Sequence, residues 1–239
     1  MEIRHLSYHY PKSKRNIFND LSMNIQENMI NILLGMNGEG KTTLFDVISG
    51  LIKTKAEFKN IVPSNEILYQ IQGVPILSTI KGKDLAELIL CSSGQYNFRD
   101  LSPKLFENEL YHDEDSLDKI ERIWVTQYGQ MSPGERRWFT ILLCCLLKKS
   151  LYIFDEPTAG TDPYSKIQIV KTISNLQEKN HTVLYATHQV DDLKYLQHYI
   201  VHVLYQGKIV LCENEERWTQ VIKEKKITFL NAFIGAPER

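Results

Sequence analysis

Gly35-Met36-Asn37-Gly38-Glu39-Gly40-Lys41-Thr42-Thr43 reads G-x-x-x-x-G-K-T. In front of it lie Asn24-Ile25 and Met29-Ile30-Asn31-Ile32-Leu33-Leu34, an apolar run of strand length. Behind it, Leu44-Phe45-Asp46-Val47-Ile48-Ser49-Gly50 has the apolar spacing of a helix ended by glycine. Strand, glycine-rich turn and helix are the context that gives this pattern a mechanism. The glycines let successive backbone N–H groups turn inward to face an anion, a geometry that a Cβ would obstruct. A helix beginning near Gly40 adds its positive N-terminal end to the same spot. Lys41 is expected to reach the β- and γ-phosphates of a nucleoside triphosphate, and the Thr42 hydroxyl to bind Mg²⁺. A glycine-rich turn with a chance lysine is the bland alternative, and it fits the flanks less well.

The chain has 239 residues, enough for a full core as one large domain or a domain with a subdomain. Its 28 basic and 29 acidic residues nearly cancel, which argues against a dedicated nucleic-acid surface. The Lys223-Glu224-Lys225-Lys226 run reads as a solvated helix face. Cys91, Cys144, Cys145 and Cys212 form no C-x-x-C pair, so structural thiols in a reducing compartment are the simpler reading. The start has no basic region followed by an apolar core, and no signal peptide is expected. The apolar run at 139–147 is far short of the ~18–20 residues that cross a bilayer, so any membrane spans would belong to another chain.

Residues 2–10 alternate like a strand, followed by a polar turn at 11–16. The segment 58–62 reads as a short edge strand broken by Pro63, and 67–72 as a strand ending at Gly73. Residues 80–123 read as a compact, mostly helical insert. Ser132, Pro133 and Glu135 stand where an N-cap, an N1 proline and a capping-box glutamate belong, ahead of an apolar helix over 138–147 closed by Lys148-Lys149. A capped start with Gly134 in its first turn can hold a phosphate, although on this stretch alone an ordinary helix start is the simpler reading. Leu151-Tyr152-Ile153-Phe154-Asp155-Glu156 is an apolar strand ending in two carboxylates. After a phosphate-binding turn, Asp155 is expected to hold Mg²⁺ and Glu156 to orient or deprotonate an attacking water. The pattern then predicts a helix over 164–179, a buried strand over 182–187 with His188 at its end, a hairpin over 199–212 turning at Gln206-Gly207, and a helical tail from 218. The meaning of His188 depends on whether its strand end lies beside the phosphate turn.

Taken together and in this order, the motifs resemble those of the ATP-binding cassette (ABC) ATPases over nearly the whole chain. Gly35 to Thr43 is similar to Walker A, with Asn37, Gly38, Glu39, Gly40, Lys41, Thr42 and Thr43 around the phosphates. Gln72 sits where the family's Q-loop glutamine belongs, with Gln70 the runner-up. Met131 to Glu135 resembles a diverged LSGGQ signature, and Leu151 to Glu156 resembles Walker B with the catalytic glutamate. Gly160-Thr161-Asp162 resembles the D-loop, His188 the switch histidine, and Tyr10 the adenine-stacking aromatic.

The resemblance implies an α/β P-loop NTPase core with a mostly parallel sheet, a small antiparallel β subdomain and a helical subdomain. Core and β subdomain would take about 1–75 and 150–215, the helical subdomain 76–149, and a terminal helix and tail 216–239. It also implies ATP and Mg²⁺ as ligands, with Thr42, Gln72 and Asp155 at the metal and Glu156, His188 and Gln72 in catalysis. Two cassettes would pair head to tail, with Ser132, Gly134 and Glu135 of one facing the ATP of the other. Such a subunit would sit on the inner face of the cell membrane through a transmembrane permease, and no nucleic acid is expected.

The chain departs from the pattern at Pro133, where a glycine and its N–H are usual, and at Glu135, where glutamine is usual. The stretch between Lys41 and Gln72 is short, so a trimmed β subdomain is expected, which leans the reading toward export. The rivals are a soluble ABC ATPase of the iron–sulfur-assembly type and a regulatory ATP-binding module. Asp155-Glu156 with His188 counts against the second.

Overall fold

The computed structural model describes residues 1–107 and 114–223. Its centre is β3 (Ile30–Leu34), apolar except for Asn31 and buried along its whole length, as a strand covered on both faces must be. On one side β3 pairs in parallel with β7 (Thr182–Thr187), which is followed outward by β6 (Leu151–Asp155) and β5 (Ile67–Gln70). On the other side it pairs in parallel with β8 (Tyr199–Tyr205), and β9 (Lys208–Asn214) closes the edge antiparallel to β8. A separate antiparallel sheet has the order β2 (Phe18–Asn24), β1 (Glu2–Tyr8), β4 (Glu57–Lys59).

Strand alternation divides the interior into two cores. Leu151 and Ile153 of β6 point with Leu33, Leu44 and Phe45 toward β1 and β2. Tyr152 and Phe154 point the other way, into a core shared with α4 (Pro133–Leu146) and α5 (Pro163–Glu178). As its all-round apolar character requires, α4 is buried from Trp138 to Leu146 except at Thr140. Among the described residues, the insert before it comprises α2 (Gly82–Ala86), a π-helical turn at Glu87–Cys91, two 3₁₀ segments and α3 (Glu114–Val125). The chain continues past β9 into α6 (Glu215–Lys223).

Several boundaries differ from the sequence reading. β1 stops at Tyr8, because Pro11 cannot donate to a ladder and Lys12 turns with φ 69°. Tyr10 therefore lies in a loop. The apolar stretch before the phosphate turn is two strands, split by a turn at Asn28 with φ 56°. Asn31 stabilises that break from inside β3, accepting the Gln26 N–H at 2.8 Å and donating to the Gln26 carbonyl at 2.8 Å. β5 ends at Gln70, leaving Gln72 outside the sheet. The helix expected from 138 starts at Pro133, because the Ser132 capping box forms, and it ends before Lys148-Lys149. The insert is less helical than its composition suggested. The tail helix begins at Glu215, and the rest of the expected tail, with Glu224, Lys225 and Lys226, lies outside the described residues.

His202 of β8 is buried, its Nε2 3.4 Å from Asn31 Oδ1 and its Nδ1 without a hydrogen-bond partner among the described residues. Burial pushes its pKa down to about 4 from 6.5. The unfolded chain therefore binds a proton through a range in which the folded chain does not, and stability falls as pH drops from 6.5 toward 4. The expected loss is ~2 kcal/mol by pH 5. Urea titrations at neutral pH and pH 5 should show a smaller acid-induced loss for His202→Gln, which keeps a donor for Asn31. An equal loss in both proteins would refute the assignment.

Candidate functional site

Parallel pairing puts the C-terminal ends of β5, β6, β7 and β3 at one edge of the sheet, where the next residues converge. The turn after β3 leads into α1 (Lys41–Ile48) through Gly40, which has φ 104°. A Cβ on Gly40 would also lie 2.7 Å from Ile17 Cγ2, so both backbone angle and space require glycine. Lys41 is buried and its Nζ donates to the carbonyls of Gly35 at 2.8 Å and Met36 at 3.2 Å. The same ammonium lies 3.1 Å from Glu156 Oε1.

Glu156, the first residue after β6, has φ 48°, a left-handed conformation unusual for a residue with a side chain. Its carboxylate gathers three groups: Lys41, His188 Nδ1 at 3.1 Å, and Gln72 Nε2 at 3.5 Å. Burial pushes the Glu156 carboxyl up, but Lys41 and His188 outweigh burial and hold it below the usual carboxylate range. Asp155 Oδ2 accepts the Thr42 hydroxyl at 2.6 Å, while Oδ1 is buried and has no hydrogen-bond partner among the described residues. Burial raises the Asp155 carboxyl, with Thr42 opposing.

These residues border a cleft of about 440 Å³ lined by Asn37, Gly38, Gly40, Lys41, Thr42 and Thr43 of the turn, with Gln72 and Glu156 on one flank and Tyr10 and Ile17 on another. The Tyr10 hydroxyl lies 3.0 Å from Thr43 Oγ1, and its ring meets Tyr8 edge-on at 5.2 Å. Glu39 turns away and accepts the Gln206 N–H at 2.7 Å, tying the phosphate turn to the β8–β9 hairpin. Gln70 is buried, its amide donating to the Ile71 carbonyl at 2.9 Å, so Gln72 is the glutamine at the cleft.

Ser132, Gly134 and Glu135 are outside this lining, at the start of α4. Ser132 Oγ accepts the Glu135 N–H at 3.1 Å, and Glu135 Oε2 accepts the Ser132 N–H at 2.9 Å. A Cβ on Gly134 would stand 2.0 Å from Ser165 Oγ and 2.6 Å from Asp162 Oδ2, so glycine is what lets α4 and α5 start side by side.

Three features were invisible in sequence. Ile17 lines the cleft, and Arg15 donates to the Gly38 carbonyl at 3.3 Å; only their nearness to Tyr10 hinted at this. Buried Asp192 Oδ2 accepts from Thr158 at 2.7 Å, Thr187 at 2.9 Å and Tyr185 at 3.0 Å, and its Oδ1 lies 3.1 Å from Lys166 Nζ. That carboxylate joins the segment after Glu156 to the one before His188.

A phosphate turn between strand and helix, flanked by acidic and histidine strand ends, defines a P-loop nucleotide-binding fold. The sequence profile of the family described as ABC transporter matches residues 18–159. The chain belongs to that family, as an ATP-binding subunit. It is 29% identical over 198 residues to Protein McbF of Escherichia coli, covering 81% of this chain and 78% of McbF. It is also 29% identical over 222 residues to ATP-binding cassette sub-family G member 5 of Mus musculus, covering 86% of this chain but 33% of that longer protein. Among solved structures, the ADP conformation of MJ1267, an ATP-binding cassette of an ABC transporter, matches the fold with a TM-score of 0.73 at 20% identity, over 98% of both chains. Among the described residues, no helix is long and apolar enough to cross a membrane.

Proposed function

We propose that this chain hydrolyses Mg²⁺-bound ATP and thereby drives a separately encoded transmembrane permease in the export direction. The observation that carries the reading is the meeting of Lys41, Gln72 and His188 around the Glu156 carboxylate beside the phosphate turn. Lys41 exchanges Glu156 for phosphate oxygens when the triphosphate seats. As that cation turns to phosphate, its pull on the Glu156 carboxyl weakens and the carboxyl rises. His188 then faces the γ-phosphate, and Gln72 links the metal side of the cleft to the insert. Tyr10, beside Ile17 at the cleft, offers its ring to adenine.

Mg²⁺ fits the donors present. Thr42 and Asp155 supply hard oxygens, and the buried Asp155 Oδ1, without a hydrogen-bond partner among the described residues, is a ligand atom in need of a cation. Bound there, Mg²⁺ would neutralise charge on the phosphates. Asp155→Asn is expected to cut ATP turnover ~100-fold or more while leaving thermal stability without metal unchanged or higher, because the variant no longer buries a carboxylate. Turnover close to the parent's would remove Asp155 from the metal site.

The start of α4, set apart from the chain's own cleft, supports head-to-tail pairing with a second copy across two ATPs. We read residues 1–75 and 150–215 as the core with its β subdomain and 76–149 as the helical subdomain. Past Gln72, exposed Val74 and Leu77, with Leu88 and Phe98 of the insert, give the permease's cytoplasmic helices apolar side chains to grip. The three-residue β4, which keeps the β subdomain small, supports export.

The test is purification of tagged Glu156→Gln protein with ATP from detergent-solubilised native cells, with partners identified by mass spectrometry. A polytopic membrane protein in the eluate is the expected result. Soluble partners alone would favour an assembly ATPase instead.

A further inference from the structure

Pro133 has no N–H, and the Glu135 N–H is taken by Ser132 Oγ, so Gly134 supplies the remaining first-turn donor at the start of α4. Beside it stands the Glu135 carboxylate, a negative charge at a helix end read above as meeting a triphosphate. Burial pushes the Glu135 carboxyl up, but the Ser132 N–H and the Arg122 guanidinium hold it below the usual range, so it is charged. Arg122, in the last turn of α3, donates from Nη2 to Glu135 Oε1.

The neighbouring charged groups are hydrogen-bonded elsewhere, although Lys119 also draws the Glu135 carboxyl down through space. Lys119 of α3 lies 4.6 Å over the Trp138 ring and donates to Gln168 Oε1 at 2.7 Å. Arg136 of α4 donates to the carbonyls of Met131 at 3.0 Å and Gly129 at 2.6 Å. Asp162, at the start of α5, accepts the Ser165 N–H at 3.0 Å and its hydroxyl at 2.6 Å. Among the described residues, Arg122 is the cation bonded to Glu135.

We propose that Arg122 is a positioning residue for the start of α4. It fixes the Glu135 carboxylate in the capping box and cancels its charge, so that this helix end can face the triphosphate held by a second copy of the chain. The proposal rests on the paired-cassette reading above. The Arg122 guanidinium remains half-exposed, but its partner is the carboxylate rather than the nucleotide. An uncompensated carboxylate facing phosphate would oppose association by like-charge repulsion.

The experiment follows ATP-driven dimerisation by light scattering in the Glu156→Gln background. Arg122→Ala should raise the ATP concentration at half-dimerisation ~10-fold or more, less so as salt rises. Arg122→Lys should keep most of the function. Adding Glu135→Gln to Arg122→Ala should restore dimerisation to the value of Glu135→Gln alone. Nucleotide binding to the monomer should not change, since Arg122 is outside the Lys41 cleft. Unchanged dimerisation by Arg122→Ala would overturn the proposal. So would a double variant that stays as weak as Arg122→Ala, because Arg122 would then act by itself or through α3 packing. If the Glu156→Gln parent fails to dimerise with ATP at all, the paired-cassette reading falls, and that outcome is visible before any change at Arg122.

Discussion

Glu156→Gln is expected to bind ATP as tightly as the parent chain and to lose ~10²–10⁴-fold in turnover. The amide keeps the size of the side chain and an acceptor for Lys41 Nζ, now 3.1 Å from Glu156 Oε1, but it cannot take a proton. It also removes the negative charge that competes with phosphate for Lys41, so affinity should hold or improve. Steady-state hydrolysis, with binding of a fluorescent ATP analogue measured in parallel, separates the two effects. Turnover within a few-fold of the parent would transfer the role of base to another group.

Lys41→Ala should have the opposite signature, with binding itself failing. Each charge-assisted hydrogen bond is worth ~1.5–3 kcal/mol, so losing contacts to two phosphates should weaken ATP binding ~100-fold or more. There is a second consequence. Lys41 is a main cause of the lowered Glu156 pKa, and Asp155 stands next to it. Without the ammonium, burial is opposed at Glu156 by His188 alone, so the Glu156 carboxyl rises. ATP binding by Lys41→Ala at near-parental affinity would refute the phosphate assignment. An unchanged Glu156 titration, followed by carboxyl-specific infrared difference spectra against Glu156→Gln, would refute the electrostatic one.

How much could be read in advance depended on how local the physics was. The phosphate turn was legible because Gly38 and Gly40 encode backbone angles that few residues tolerate, and Lys41 follows at fixed spacing. Asp155, Glu156 and His188 were legible because apolar strands in alternation with helices must bring their ends to one edge. The insert was less legible, since its 3₁₀ and π-helical pieces have no sustained period. The break at Asn28 was hidden because Asn31, which secures it, sits inside an otherwise apolar strand. Arg122 and Glu135 are 13 residues apart, and Asp192 and Thr158 are 34 apart. Pairings of that kind depend on helix docking, which no window of sequence contains.

Asp192 also bears on how the site moves. Its one carboxylate is bonded to the segment leaving β6, to the end of β7 and to α5. Freeing any one of these would strand a buried charge short of partners, a cost that falls on all of them at once. Thr158, Tyr185, Thr187 and Lys166 are therefore tied to one another through Asp192. A displacement of the segment after Glu156 would be felt at the segment before His188 through that one carboxylate.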